Sequence, residues 1–141
     1  MSDTSFTLTV LSAESQLYSG TAQSVTMPTE AGEITVLPHH APLISNLHAG
    51  ELIIRDGTTE EQLFVGGGVI EFTPDNTCRV LADTAERAAD IDEKIAEEAR
   101  KRAEESVKSA TNEPEVIAAK AALFTALARI RIAERSRKAR R

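Results

Sequence analysis

The sequence is poor in aromatic side chains and contains a single cysteine. Four phenylalanines, one tyrosine and no tryptophan occur among 141 residues, so an aliphatic core with thin layers is expected. Cys78 cannot form an internal disulfide, which favours a reducing compartment. Because Cys78 lies in the strand-like segment "TCRVLAD", we expect a small buried side chain there and not a catalytic thiol.

The sequence also lacks a long apolar run. The N-terminus, "MSDTSFTLTV", has neither the basic start nor the apolar stretch of a secretory signal. The most apolar helical region, residues 116–132, is interrupted by Lys120, Arg129 and Arg131 and is too charged to span a bilayer. These features predict a soluble, cytoplasmic chain.

Residues 1–86 contain short apolar and β-branched segments separated by turn residues. In "SFTLTVLSA", Phe6, Leu8 and Val10 alternate with threonines, which is the period of a strand. Similar segments are "TAQSVTMP", "GEITVLP", "GELIIRD", "EQLFVGG", "GVIEFTP" and "TCRVLAD". The separators "YSGT", "TEAG", "RDGTTEE" and "TPDN" have the composition of turns. Seven or more short strands at this spacing predict a β-sandwich or flattened barrel.

The composition changes abruptly after Glu86, because residues 87–141 contain no glycine and one proline. Asp90 and Glu93 resemble a capping box, and the apolar stripe of this first helix would be Ile91, Ile95 and Ala99. Asn112 and Pro114 predict the start of a second helix. The stripe of that helix would be Val116, Ala119, Leu123, Leu127 and Ile130. The fold class predicted is mixed β and α, with a β-sandwich over residues 1–86 and an antiparallel two-helix hairpin over residues 87–141.

Charge divides near the same boundary. The first 85 residues hold 11 acidic and 2 basic side chains, a formal charge of −9, and the remaining 56 hold 11 acidic and 14 basic, a charge of +3. Seven of the basic residues lie in the last 13, "RIRIAERSRKARR". Such a basic end predicts either a solvated helix end or an acidic partner. A nucleic-acid partner is not favoured, because the rest of the chain is acidic and the tail has no aromatic residues for stacking.

Two adjacent histidines, His39 and His40, lie between Pro38 and Pro42. A zinc site needs three or four converging ligands, and adjacent residues of an extended chain point to opposite sides. His48 could join one of them, but no fourth ligand is indicated. We therefore expect a contact loop and no metal site. A metal-dependent enzyme that uses these histidines is kept as the least favoured hypothesis of function.

Three consecutive glycines occur in "FVGGGVIEF". A phosphate-binding loop would need the lysine and hydroxyl of the Walker pattern or a following helix, whereas strand-like residues flank these glycines on both sides. A bulge, or close approach of another backbone, is the expectation. Since no serine, histidine and carboxylate arrangement is present, we predict no catalytic residues and no enzymatic activity.

Longer segments resemble a known family. The stretches "SAESQLYSGTAQSVTMPTEAGEITVLPHHAPLISNLHAGEL", "FVGGGVIEF" and "VLADTAERAADID" resemble the epsilon subunit of bacterial F-type ATP synthase, from about Phe6 to the end. The resemblance implies a non-catalytic rotor subunit that couples the catalytic head to the membrane c-ring, with its sandwich on the gamma subunit and the c-ring. It also implies a hairpin that is compact against the sandwich or extended along gamma towards the alpha and beta catalytic subunits. The extended form would inhibit ATP hydrolysis. The implied location is peripheral, at the cytoplasmic face of the bacterial cell membrane.

The resemblance assigns roles to particular residues. Glu30, Glu33 and His40 match family positions at the end of the sandwich that faces the polar loops of the c-ring. The prolines at 38 and 42 would hold that loop in shape, and polar side chains suit a wet contact of modest area. The basic tail would carry the inhibition, through Arg129, Arg131, Arg135, Arg137, Lys138, Arg140 and Arg141.

Some relatives bind ATP on the compact hairpin, which gives the alternative function of a nucleotide-sensing module. The matching positions here are Glu86, Ile91, Asp92, Ala96, Arg102 and Arg129. Ile95 and Thr125 replace cationic positions of that pattern, and each lost charge-assisted hydrogen bond is worth about 1.5–3 kcal/mol. We therefore expect no required cofactor and ATP only as a weak regulatory ligand. Asp92 also has a purely structural interpretation, as an acidic residue near a helix start.

Overall fold

Eight strands, one 3-10 turn and two helices follow one another in the computed structural model, which describes residues 4–139. The strands are β1 (Phe6–Ser12), β2 (Gln16–Ala22), β3 (Ser24–Thr29), β4 (Gly32–Val36), β5 (Leu43–Asp56), β6 (Thr59–Thr73), β7 (Thr77–Ala82) and β8 (Ala85–Arg87). The 3-10 turn Ala88–Asp90 leads into α1 (Glu93–Ser109) and α2 (Glu113–Ala139). No helix among the described residues is long and apolar enough to cross a membrane.

The chain forms two compact units, one up to Arg87 and one from Ala88 onwards. The expected boundary, between residues 86 and 87, lies one residue earlier. A single sheet makes the first unit, in the order β2-β1-β7-β6-β5-β3-β4, and β8 also pairs with β6. All pairs are antiparallel except β1 with β7. The predicted fold class is thus confirmed in both parts.

The strands β5 and β6 are 14 and 15 residues long and pair with each other along most of their length. Because β6 pairs with β7 over one half and with β8 over the other, the two strands belong to both layers of the sandwich. The first strand of the sheet order, β2, also approaches the end of β5, where Thr21 Oγ1 donates to Asp56 Oδ2 at 3.2 Å. Two details of the sequence prediction were wrong. "YSGT" lies inside β2 and is not a turn, and β8 was not anticipated.

Alternation along the strands produces one apolar core. Leu8, Leu52, Leu63 and Ile70 are fully buried, and Phe6 meets Phe72 edge to face at a centroid distance of 5.7 Å. Cys78 is also fully buried, as the sequence suggested, and burial raises the pKa of its thiol to about 12. A thiol that stays protonated and inaccessible is a poor nucleophile.

The triple glycine marks the place where β6 leaves β7 and pairs with β8. The register of β5 with β6 passes from Leu47 opposite Gly68 to Ala49 opposite Gly66, and Gly66 N donates to Thr84 O at 2.8 Å. Gly68 has φ of 137°, and a Cβ there would lie 2.2 Å from Leu81 O. The expected close approach of another backbone is therefore observed.

The hairpin begins at a cap that differs from the predicted one. Asp92 is the N-cap of α1, since its Oδ1 accepts from Lys94 N at 3.0 Å and Ile95 N at 3.2 Å. The Asp90 and Glu93 capping box was wrong, because Asp90 belongs to the preceding 3-10 turn. Asn112 caps α2 as expected, with its Oδ1 accepting from Glu115 N at 3.0 Å.

Small residues, not the large apolar ones, occupy the buried positions that recur along the two helices. Ala96 and Ala103 are buried on α1, and Ala119, Ala126 and Ala133 are buried on α2, in each case seven residues apart. A spacing of seven keeps a residue on one side of a helix, so we call these five alanines the alanine seam. The predicted stripes were wrong in part: Ile95 is 53% exposed and Leu127 is 45% exposed.

Candidate docking surfaces

The histidine pair lies in a loop, Leu37–Pro42, that connects β4 to β5. His40 N donates to Leu37 O at 3.1 Å, which closes a turn around Pro38. The backbone of His39 is left-handed, with φ of 63°, and is not extended as the sequence argument assumed. His39 N donates to Asn76 Oδ1 at 2.6 Å, so the loop is attached to the β6–β7 turn.

The ring of His40 is fixed on two sides. Its Nδ1 lies 2.7 Å from Ala41 O, and its ring meets Phe72 edge to face at 5.8 Å. A carbonyl oxygen only accepts hydrogen bonds, so Nδ1 carries a proton and Nε2 is the nitrogen available to a partner. The side chain is half-buried and therefore presents one edge of a held ring.

The two acidic candidates lie at the other end of β4. Glu30 is in the β3–β4 turn, where its Oε2 accepts from Asn46 Nδ2 at 3.2 Å, and Glu33 is exposed at the start of β4. The loop with His40 follows the C-terminal end of that five-residue strand. The structure thus places both carboxylates together and His40 apart from them.

The histidines and carboxylates do not form a metal-binding arrangement. Among residues 4–139, no group of three histidine, cysteine, aspartate or glutamate side chains could hold a metal ion. Glu30 and His40 are instead polar groups on turns, and Glu33 is an exposed carboxylate at the start of β4. Such groups can make hydrogen bonds to a partner surface.

One face of the sandwich carries exposed apolar side chains, which we call the apolar sheet face. The register places Leu11 of β1 opposite Leu81 of β7, and Leu81 opposite Val69 of β6. Leu81 is 54% exposed and Val69 is 38% exposed. Ile44, two residues from the row on β5, is 73% exposed. Leu11 is half-buried, and because all four residues lie on adjacent strands they form a continuous patch.

The helix α2 has a second exposed apolar surface. Ile117, Phe124 and Leu127 are 61%, 54% and 45% exposed. Helical spacing puts Lys120 and Arg131 on the same side, so this face of α2 is both apolar and basic.

The basic tail is part of α2, which continues to Ala139. Arg137 Nη1 pairs with Glu93 Oε1 at 3.2 Å, whereas Arg131 and Lys138 are exposed. Ile132 is buried within the same segment. Arg140 and Arg141, which also belong to the predicted tail, lie outside the described residues.

The proposed ATP-binding positions are distributed over several elements. Glu86 lies in β8, and Ile91 lies between the 3-10 turn and α1. Asp92 is the N-cap of α1, Ala96 belongs to the alanine seam, and Arg102 lies further along α1. Arg129 lies in α2. Ile95 and Arg102 are seven apart and share a side of α1. An open depression of the hairpin is lined by Glu115 and by small residues that include Ser106 and Ala119, and no cation is among its lining residues. It therefore does not fit a triphosphate.

Comparison with known proteins shows which class of protein has this architecture. Residues 5–88 match the family described as ATP synthase, Delta/Epsilon chain, beta-sandwich domain. Residues 89–134 match ATP synthase, Delta/Epsilon chain, long alpha-helix domain. The chain belongs to the ATP synthase delta/epsilon family.

Curated relatives narrow the class to the epsilon chains. The chain is 46% identical over 128 residues to the ATP synthase epsilon chain of Acidithiobacillus ferridurans, covering 91% of this chain and 90% of the relative. It is 41% identical over 135 residues to that of Thioalkalivibrio sulfidiphilus, covering 94% and 95%. The chain is a homologue of these non-catalytic subunits and not an enzyme, as the resemblance implied.

Solved structures share the fold. A chain in the Euglena gracilis mitochondrial ATP synthase structure of OSCP, F1 and c-ring has a TM-score of 0.79 at 21% identity, over 88% of this chain and 78% of that one. A chain in the Tetrahymena thermophila central stalk and c-ring structure has a TM-score of 0.62 at 17% identity, over 90% and 95%. At these identities the likeness concerns the fold alone.

Proposed function

We propose that this chain is a central-stalk rotor subunit that couples the catalytic head of a proton-translocating ATP synthase to the membrane c-ring. It would be held peripherally at the cytoplasmic face of a bacterial cell membrane, through the complex. The observation that carries the proposal is a sandwich with two surfaces of different chemistry. One is the apolar sheet face, and the other is a set of polar groups on turns.

The apolar sheet face suits the gamma subunit. Gamma and this chain would stay together through many rotations, and a lasting interface needs an apolar centre. Leu11, Val69 and Leu81 offer such a centre on three adjacent strands, and the Arg79–Glu71 ion pair at 3.5 Å gives it a polar border.

The polar turns suit the c-ring. Glu30 on the β3–β4 turn and Glu33 at the start of β4 form one group, and His40 on the Leu37–Pro42 loop forms a separate one; both present hydrogen-bonding groups without a large apolar area. Contacts of this kind are wet and salt-sensitive, so they can add affinity to an interface that gamma already provides.

Co-purification tests both contacts. We expect the tagged full-length chain to retain gamma and the c-ring from its own cells. Leu81→Glu should release gamma, because it places a charge in the centre of the apolar sheet face. The matched control is Ile95→Glu, which changes a similarly exposed apolar residue outside both docking surfaces of the sandwich. Equal loss of gamma in both variants, or no co-purification of the wild-type chain, would overturn the proposal.

We propose further that the hairpin inhibits ATP hydrolysis when it extends towards the alpha and beta catalytic subunits. The support is the exposed face of α2, where Phe124 and Leu127 lie beside Lys120 and Arg131. The acidic sandwich would compete with acidic loops of the catalytic subunits for the cations of the tail. Exposed pairs contribute only about 0.2–1 kcal/mol each, so several must act together.

Deleting residues 129–141 should raise ATP hydrolysis by the assembled complex at low salt, with a smaller difference at high salt. Because the deletion also removes the buried Ile132, a charge-only variant is needed beside it. Replacing Arg131, Arg137 and Lys138 together with glutamine should also raise ATP hydrolysis at low salt. Arg137→Ala alone should change the rate of hydrolysis little. Equal hydrolysis by all complexes at low salt would show that the tail is only a solvated helix end.

The alternative, an ATP sensor on the hairpin, is the weaker proposal. Its support is that Arg102 and position 95 lie on the same side of α1, where two cations could bind a nucleotide together. In this chain position 95 is an isoleucine, so only Arg102 is cationic. The Asp92 carboxylate already caps α1. We expect binding no tighter than roughly millimolar by isothermal titration, and stronger binding after Ile95→Arg. Micromolar binding by the wild-type chain would favour the sensor.

A further inference from the structure

Asn76 joins three parts of the sandwich that are far apart in sequence. It ends the short β6–β7 turn in a left-handed conformation, with φ of 59°, and its N donates to Thr73 O at 3.2 Å. Three-residue hairpin loops commonly end in such a residue, and glycine or asparagine tolerates it best. Within the same turn, the hydroxyl of Thr73 lowers the pKa of the Asp75 carboxyl. Because the turn requires only a left-handed residue at position 76, a glycine there would be sufficient for the turn.

The asparagine side chain does more than the turn requires. Its Oδ1 accepts from His39 N at 2.6 Å, and its Nδ2 donates to Ser5 O at 2.9 Å. Both contacts are to backbone groups, one of which only donates and the other only accepts, so a single orientation of the amide satisfies them. The same residue's carbonyl accepts from Thr7 N at 3.2 Å.

The contact with His39 lies where the Leu37–Pro42 loop is least regular. His39 has positive φ, which is uncommon for a residue with a Cβ and is kept only when the surroundings hold it. The next residue is His40, whose ring orientation depends on the course of this loop.

We propose that Asn76 is a positioning residue for docking: it holds the Leu37–Pro42 loop in the conformation that presents His40 to a polar partner surface. The inference rests on the proposed function, in which that surface belongs to the c-ring. A loop that adopts the docking conformation for only a tenth of the time would bind about tenfold more weakly.

Two substitutions separate the tether from the turn. Asn76→Gly keeps the left-handed turn and removes both side-chain contacts. Asn76→Asp keeps an acceptor for His39 N but removes the donor to Ser5 O, and it adds a charge beside Asp75. We therefore expect the thermal stability of the aspartate variant to be the lower of the two. Binding to the partner surface should be weaker for the glycine variant, because only that variant loses the hydrogen bond that holds the Leu37–Pro42 loop.

The binding measurement uses the full-length chain and membrane vesicles carrying ATP synthase depleted of this subunit. We expect Asn76→Gly to weaken rebinding by about fivefold to tenfold and Asn76→Asp by less than about twofold. The matched control is Gln23→Ala, since Gln23 Oε1 accepts from Gly57 N at 2.9 Å and also tethers a turn through a side-chain amide. That control should leave rebinding unchanged.

Amide hydrogen exchange in the isolated chain gives a readout that needs no partner. His39 N–H should exchange faster in Asn76→Gly and remain protected in Asn76→Asp. Rebinding of Asn76→Gly at wild-type strength, or rebinding that simply follows thermal stability, would overturn the positioning role. If the wild-type chain fails to rebind, the proposed function is overturned and the docking role with it, whatever the exchange of His39.

Discussion

The sandwich and the hairpin bury side chains of different size. In the sandwich, Phe72, Leu52 and Ile70 are almost completely buried, and the core is continuous across both layers. In the hairpin, the alanine seam forms the repeating buried row, while Phe124, Ile117 and Ile95 are exposed. Burial of apolar area stabilises a fold in proportion to the area removed from water. The comparison indicates a stable platform and a helix pair whose contacts are individually weak.

The largest effect should come from the closest backbone approach in the sandwich. We expect Gly68→Ala to destabilise the sandwich by about 2–5 kcal/mol, because the new Cβ would meet Leu81 O and the residue has positive φ. Urea unfolding measures the loss. Gly66→Ala is the matched control, since its Cβ would meet the rotatable hydroxyl of Thr84. Equal destabilisation by both substitutions would contradict this account.

A smaller effect is expected when the alanine seam is overfilled. Ala126→Leu should cost about 1–3 kcal/mol, because a larger side chain at a buried position forces the surrounding structure to shift. Helical circular dichroism should be lost at a lower temperature, while Cys78 stays protected from thiol reagents at neutral pH. Ala121→Leu, at an exposed position of the same helix, is the control. Faster labelling of Cys78 in Ala126→Leu would show that the two regions are not independent.

Loss of the helix cap should have a similar or slightly smaller effect, confined to the hairpin. Asp92→Ala removes the acceptor for two backbone N–H groups and should cost about 0.5–2 kcal/mol. Asp92→Asn keeps an acceptor oxygen and should cost less. Thermal unfolding followed at 222 nm distinguishes them. If both variants lose stability equally, the charge of Asp92 matters more than its hydrogen bonds.

The smallest effect is expected from removing the hairpin. A chain ending at Arg87 should keep a folded sandwich, with Cys78 labelled as slowly as in the full-length chain. A chain ending at Ala85 should be less stable, because it loses the pairing of β8 with β6 and the hydrogen bond from Arg87 Nη2 to Leu17 O at 2.7 Å. Rapid labelling of Cys78 in the chain ending at Arg87 would contradict the independence of the sandwich.

Strand and helix types were predictable from the sequence because they depend on local periodicity. Alternation identified β1, and the change of composition after Glu86 identified the hairpin. The helix faces were predicted less well, because a large apolar residue such as Ile95 carries more weight in a pattern than a buried alanine does. In closely packed helices the small residues are the ones that become buried, since small side chains allow the two backbones to approach.

Some features of the docking surfaces were also predictable from the local sequence, and others were not. The prolines and histidines of Leu37–Pro42 indicated a shaped loop, but nothing local indicated Asn76, because its partners are 37 and 71 residues away in the chain. The left-handed turn of "TPDN" was the available signal, since asparagine is enriched there. The apolar sheet face needed the strand register, which brings Leu11, Val69 and Leu81 together.

The length of β5 and β6 has a mechanical consequence. Each strand is part of both layers, so the layers share covalent chain and are not joined only by packed side chains. A force applied to a side chain on one layer is therefore carried to the other along two continuous backbones and the hydrogen bonds between them. Sliding of one layer over the other would require bending both strands at the glycines near their centre. We therefore expect a load on one layer to twist the sandwich as a whole before it shears the layers.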